Sequence, residues 1–132
     1  MSNIRYLSPE WIAAVAAKVE ASQPLQALAH EHTVALTQVV TDTPDGDVTY
    51  HLEVRDGVAR FGVGAATHED VRFTESWDTA IAVSTGALNA QEAFIKGAIR
   101  FAGDHQRLID AADVFAALNP IFDEVRQAVD YR

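Results

Sequence analysis

The spacing of hydrophobic and polar positions changes several times along the chain, and each change marks an element. Ser8-Pro9-Glu10 supplies a capping hydroxyl, a proline at the first helical position and an acid in the first turn, and Trp11, Ile12, Val15 and Val19 then recur at helical spacing. This predicts a helix from about Pro9 to Ser22, with Pro24 as its terminator. From Thr33 to Val40 the period falls to two: Val34, Leu36 and Val40 share one face, and Thr33, Thr37 and Thr41 the other. That is a strand with one wet face. Turn residues from Asp42 to Asp47 lead into Val48 to Arg55, where Val48, Tyr50, Leu52 and Val54 alternate. Asp56-Gly57 is a two-residue hairpin turn of the primed type, followed by Val58 to Val63, and Val71 to Thr74 adds a fourth strand. In chain order these strands read as an antiparallel meander.

Thr74 or Ser76 then opens a helix in which Trp77, Ala80, Ile81 and Ser84 repeat, closed by Gly86. In the stretch from Asn89 to Asp104, Asn89 and Glu92 form the side-chain half of a helix start, and Gly97 stops that helix after barely two turns. Ala98 to Ala102 alternates, with Ile99 and Phe101 opposite Arg100, Gly103 turns the chain, and Asp104 caps a further helix with Leu108, Ala111, Ala112, Phe115 and Leu118 on one face. Asn119-Pro120 opens a last helix carrying Ile121, Phe122, Val125 and Val129. The order predicts a single α+β domain over residues 1–132, with a five-stranded, mostly antiparallel sheet and helices covering one face. The helices bring Trp11, Trp77, Phe94, Phe115 and Phe122 to the layer between them and the sheet. The inward strand positions are read as Val, Leu, Tyr, Phe and Ile, with no Asp or Glu.

Composition narrows the functional classes. With 132 residues, 48% of them hydrophobic and 22% charged, the chain fits one globular domain that buries roughly two-thirds of its unfolded surface. It has no cysteine, which removes disulfides, thiol catalysis and thiolate metal sites. A net charge of −9 and ten scattered basic residues give a field that repels phosphate backbones, so nucleic acid is not an expected partner. There is neither an apolar run of about eighteen residues nor a basic segment followed by an apolar one at the N-terminus. No stable membrane anchor is expected, and the expected location is cytoplasmic.

Candidate chemistry is sparse. His30, His32 and His51 could share a strand face and offer imidazoles to zinc, but no further ligand accompanies them, and surface histidines are the preferred reading. Asp42, Asp45 and Asp47 lack the spacing of a calcium loop, and Gly62-Val-Gly64 is an incomplete dinucleotide fingerprint with no suitable helix after it. No metal, cofactor or catalytic residue is assigned.

The segment from Val71 to Phe122, and above all Ala93-Phe-Ile-Lys-Gly-Ala-Ile-Arg-Phe-Ala-Gly-Asp104, resembles the sterol carrier protein 2 (SCP2) domain family. The C-terminal half of that family reads as a short helix ending in Gly, a strand, Gly-Asp and a helix. Phe73-Thr-Glu-Ser-Trp-Asp-Thr-Ala-Ile and Gly86 are similar to its strand-to-helix passage. The resemblance implies non-enzymatic binding or transfer of a lipid, such as a fatty acid, an acyl-CoA or a sterol, in a hydrophobic tunnel between sheet and helices, without a cofactor. On that reading Trp77, Ile81, Phe94, Ile95, Ile99, Phe101, Phe115, Leu118 and Phe122 line the site, and Lys96 and Arg100 stand near its rim, although solvated charges are the plainer account of either. The chain ends Asp-Tyr-Arg, without the peroxisomal tripeptide of some members, in keeping with the cytoplasmic expectation.

Apolar walls alone could hold such a ligand. A sixteen-carbon chain buried at ~0.8 kcal/mol per methylene gains on the order of 12 kcal/mol gross, from which association costs take back several. Two alternatives stand beside this reading. One is a small cone-shaped α+β enzyme resembling the NTF2-like isomerases and dehydratases, which would need an ionisable group inside the cavity. The other is an accessory domain whose apolar face meets a partner or its own copy as a homo-oligomer.

Overall fold

The computed structural model describes residues 4–127 and 129–130. A short strand, β1 (Ile4–Arg5), leads into α1 (Pro9–Ala21), whose Ser8 cap accepts a hydrogen bond from the Trp11 amide at 3.2 Å. Trp11, Ile12, Val15 and Val19 are buried on one face of α1, as the periodicity predicts. Pro24 does not act as the terminator. Ser22 ends α1 and caps a second helix, α2 (Gln23–Leu28), by accepting from the Leu25 amide at 3.3 Å, and Pro24 lies in the first turn of α2. A proline there gives up no intrahelical hydrogen bond, so a residue that cannot continue one helix serves to begin the next.

The strands β2 (Val34–Thr43), β3 (Gly46–Arg55) and β4 (Val58–Val63) form the expected meander, pairing Leu36 with Leu52 and Leu52 with Phe61. The Asp56-Gly57 turn has φ of +53° and +78°, as a primed turn requires. The fourth strand departs from the meander. β5 (Val71–Ser76) returns to the free edge of β2 and pairs with it in parallel, from Leu36–Val71 to Thr41–Ser76.

Residues 64–70 carry the chain back across the outer face. The Ala66 amide donates to Thr37 Oγ1 at 3.0 Å, the Thr67 amide to Glu53 Oε1 at 2.9 Å, and the Ala35 amide to Asp70 Oδ2 at 2.9 Å. The strand face expected to be wet is therefore roofed at Thr37, which is fully buried.

After β5 come α3 (Trp77–Ser84), α4 (Ala90–Ile95) and β6 (Ile99–Gly103), the last antiparallel to β5. The five-stranded sheet has the order β4-β3-β2-β5-β6 and is mixed, with one parallel pair among antiparallel ones. Asp104 caps α5 (His105–Asp110), accepting from the amides of Gln106 and Arg107. The helix break expected at Asn119-Pro120 falls instead at Ala111, and α6 (Ala112–Arg126) runs through Pro120. Its buried face, Val114, Leu118, Ile121 and Val125, spans both sides of the proline. Tertiary burial of that face outweighs the lost backbone hydrogen bond. Val129, expected in that helix, lies in β7 (Val129–Asp130), which pairs in parallel with β1.

The core fills the space between the helices and the inner face of the sheet, with α1 packed on β4 and α6. The edge of β4 is closed by a side chain: Gln26 accepts from the Ala59 amide at 2.9 Å and donates to the Ala59 carbonyl at 3.1 Å. Among the described residues no helix is long and apolar enough to cross a membrane.

Candidate functional site

Side-chain alternation on the strands sets the inner face of the sheet, and register aligns it into rungs. Leu36, Leu52, Phe61 and Val71 form one rung; Gln38, Tyr50, Phe73 and Phe101 form the next; Val40, Glu75 and Ile99 follow. Phe94 of α4, Leu108 of α5, and Phe115, Leu118 and Phe122 of α6 stand opposite. Between the two layers lies a cavity of ≈ 480 Å³ with mainly apolar walls. Phe94, 40% exposed, and the exposed His105 mark its mouth. Phe115 and Phe122 both line the cavity, and Phe122 is held to one side, stacked on Trp11 at 6.0 Å and in a T-shaped contact with Phe61 at 6.3 Å.

Five of the residues singled out from the sequence meet at this cavity: Phe94, Ile99, Phe115, Leu118 and Phe122. Phe101 stands on the same inner face, in ring contact with Phe73 at 5.5 Å, Phe94 at 6.3 Å and His105 at 5.2 Å. Trp77, Ile81 and Ile95 lie outside the lining. Trp77 turns toward Tyr6 at 5.6 Å, and Ile95 is 76% exposed. Lys96 is ion-paired with Glu92 at 2.9 Å, and Arg100 faces outward from β6 opposite Thr74. His51 bonds the Gly64 carbonyl on the outer face of the sheet at 2.9 Å.

Two polar residues lie where only apolar ones were expected. Gln38 and Glu75 both line the cavity, which corrects the reading that no acid faces inward. Gln38 Nε2 donates to Glu75 Oε1 at 3.0 Å. Glu75 Oε2 is buried and has no hydrogen-bond partner among the described residues. Burial raises the Glu75 carboxyl from its ordinary 4.5 to about 7. Tyr50, beside them on β3, is held well above the usual phenol range, first by burial and then by the charges of Tyr6 and Glu75.

A signal for both residues was present in the sequence. The alternation through Val34, Leu36 and Val40 also places position 38 inward, and one through Val71 and Phe73 reaches Glu75 once the strand runs to Ser76.

A second cavity of ≈ 440 Å³ shares Tyr50, Glu75, Val83 and Phe122 with the first. Its remaining walls are more polar and include Ser84, Asn119, Asp123 and Arg126. Glu75 thus sits on a wall common to both spaces.

A mixed sheet with helices over one face and an apolar space between them defines an α+β fold. Solved structures give that fold its name. The chain matches a crystal structure of sterol carrier protein 2 with a TM-score of 0.64 at 18% identity, over 95% of this chain and 100% of that one. It matches the apo form of sterol carrier protein 2 from Yarrowia lipolytica with a TM-score of 0.59 at 15% identity, over 89% and 88% of the two chains. The chain therefore has the SCP2-like fold. A stereoselective inverting sec-alkylsulfatase, Pisa1 from Pseudomonas sp., also contains it: the match has a TM-score of 0.51 at 18% identity and covers 94% of this chain but 16% of that enzyme. No protein-family model and no curated protein sequence matches the chain.

Proposed function

We propose that this protein binds and carries a hydrophobic ligand of the lipid class, without chemistry on it. The observation that carries the proposal is the ≈ 480 Å³ apolar space between the sheet and α4–α6. Its size is within the roughly 300–1,000 Å³ of small-molecule sites. The likeness to proteins named as sterol carriers supports the same reading. In this reading Phe94, Ile99, Phe115, Leu118 and Phe122 grip the hydrocarbon, and the two cavities sharing Tyr50, Glu75, Val83 and Phe122 act as one tunnel. The protein then works as one domain in the cytoplasm.

Lipid extraction with native mass spectrometry, and thermal unfolding in the presence of fatty acids, long-chain alcohols, acyl-CoA and sterols, test the proposal. A ligand present at about a hundred times its Kd stabilises the fold by about 2.7 kcal/mol. A lipid-free protein whose midpoint none of these compounds moves would rule the proposal out.

One observation favours a second reading. A cavity carboxyl that titrates near 7 is suited to acid–base catalysis. This returns an ionisable group to the interior, as a small enzyme would need, on an SCP2-like frame rather than a cone-shaped one.

A further inference from the structure

The first cavity is apolar except at Gln38, Tyr50, Glu75 and the mouth residue His105. Gln38 already serves Glu75 Oε1, and among the described residues Glu75 Oε2 is a buried acceptor with no donor. Such an atom is costly to leave without a partner, and a donor brought in by a bound molecule is one way to satisfy it.

The surroundings restrict what that can be. Tyr50 faces Glu75 from β3, Tyr6 from the β1–α1 turn, Asp123 and Arg126 from α6 across the second cavity, and His105 from the first cavity's mouth. Arg126 is engaged by Asp123. Among the described residues no Lys or Arg lines the first cavity, and the chain as a whole carries a net charge of −9. An anionic head group entering here meets a carboxyl and finds no free cation, whereas a hydroxyl supplies the missing donor at no electrostatic cost.

Building on the carrier reading, we propose that Glu75 Oε2 is the polar anchor of the ligand. The ligand is then an uncharged, hydroxyl-bearing lipid of the long-chain alcohol type, and fatty carboxylates are selected against. Its hydroxyl donates to Oε2 while its hydrocarbon lies along Phe73, Phe115 and Leu118.

Calorimetric titration of the full chain with 1-dodecanol and with dodecanoate, at pH 8.5 and pH 6.0, tests this in the natural protein and in Glu75→Gln. Gln keeps the shape and an acceptor oxygen but removes the charge. At pH 8.5 the natural protein should bind dodecanol at least about tenfold more tightly than dodecanoate, and Glu75→Gln should close most of that gap by strengthening dodecanoate. Protonation of Glu75 toward pH 6.0 should narrow the gap in the natural protein without any substitution, which keeps the test valid if the variant misfolds. A preference for dodecanoate, or one that neither pH nor the variant alters, overturns the anchor and leaves lipid carrying intact. If neither compound binds either protein, the anchor is overturned, and the carrier reading stands or falls separately on the acyl-CoA and sterol measurements.

Discussion

Glu75→Gln also predicts a stability change whose sign and size follow from burial. The folded chain holds the Glu75 proton until about pH 7, whereas the ordinary value is 4.5. Between those two values the unfolded chain has released the proton and the folded chain has not, so stability falls by about 1.4 kcal/mol for each pH unit gained. The favourable term is fully present below 4.5 and is lost as pH rises through 7. The undiscounted loss is about 3.4 kcal/mol, and allowing for solvent that reaches this half-buried side chain leaves about 2 kcal/mol. A neutral isostere has no such loss.

At pH 8.5 Glu75→Gln should therefore be the more stable protein by about 2 kcal/mol, or about 7 °C in midpoint for a chain of this length. Near pH 4.5 the two melting curves should meet. Thermal unfolding followed by circular dichroism across that range measures both proteins, and the remaining carboxylates cancel in the difference. Parallel curves, with the variant no better at pH 8.5 than at pH 4.5, would refute the argument: Oε2 would then be solvated, and the cavity wall would be wet at that point.

Other predictions concern the stretch from Asn89 to Asp104 and the edge of the sheet. Gly103 has φ of +118°, and a Cβ there would run into the Asp70 carbonyl oxygen and come within 2.9 Å of Val71 Cα, whereas Gly97 at φ +81° faces open space. Gly103→Ala should therefore cost about 3 kcal/mol or more in urea unfolding, and Gly97→Ala only the left-handed penalty of about 1 kcal/mol. Gln26→Leu leaves the Ala59 amide and carbonyl on the edge of β4 without their partner. It should cost about 1–3 kcal/mol and speed hydrogen exchange at Ala59 while more central amides keep their protection.

Local signals were legible wherever the physics is local. Ser8-Pro9, the Asp56-Gly57 turn and the capping Asp104 each act within a few residues, and the structure places all three as the spacing indicates. Pro24 shows the limit of such signals, since a proline marks a helix boundary without saying on which side of it the helix lies.

Partner choice was less legible. Residues 64–70 have no period of their own and are held by hydrogen bonds to groups 14 to 35 positions away, so nothing local announces that β5 returns beside β2 or that Thr37 is roofed. The cavity was half legible. Its aromatic walls follow from helical spacing, but Trp77 and Ile81 share that spacing and lie elsewhere, because periodicity assigns a face and not the neighbour it meets. Gln38 and Glu75 are hard to read for a different reason: each is the polar member of an otherwise apolar alternation, so the apolar period that defines the inner face does not mark it.

Those polar members bear most directly on whether the proposed ligand would be carried or transformed. Chemistry would ask Glu75 to take a proton from a bound molecule while a second group stabilises the charge left behind. Tyr50 is the available donor, since burial keeps its hydroxyl protonated, and the Gln38 amide is already committed to Glu75. A base and a donor on one wall are the minimum for proton abstraction. They are equally what a carrier needs in order to seat a hydroxyl, with one group accepting and the other available to donate. The two roles differ in what Glu75→Gln removes. In a carrier the variant changes which head group is preferred, and the bound lipid is recovered unaltered from both proteins. In an enzyme it abolishes turnover while the neutral substrate still binds. Recovery of intact ligand after prolonged incubation with the natural protein decides for the carrier, and a product that forms with the natural protein but not with Glu75→Gln decides for the enzyme.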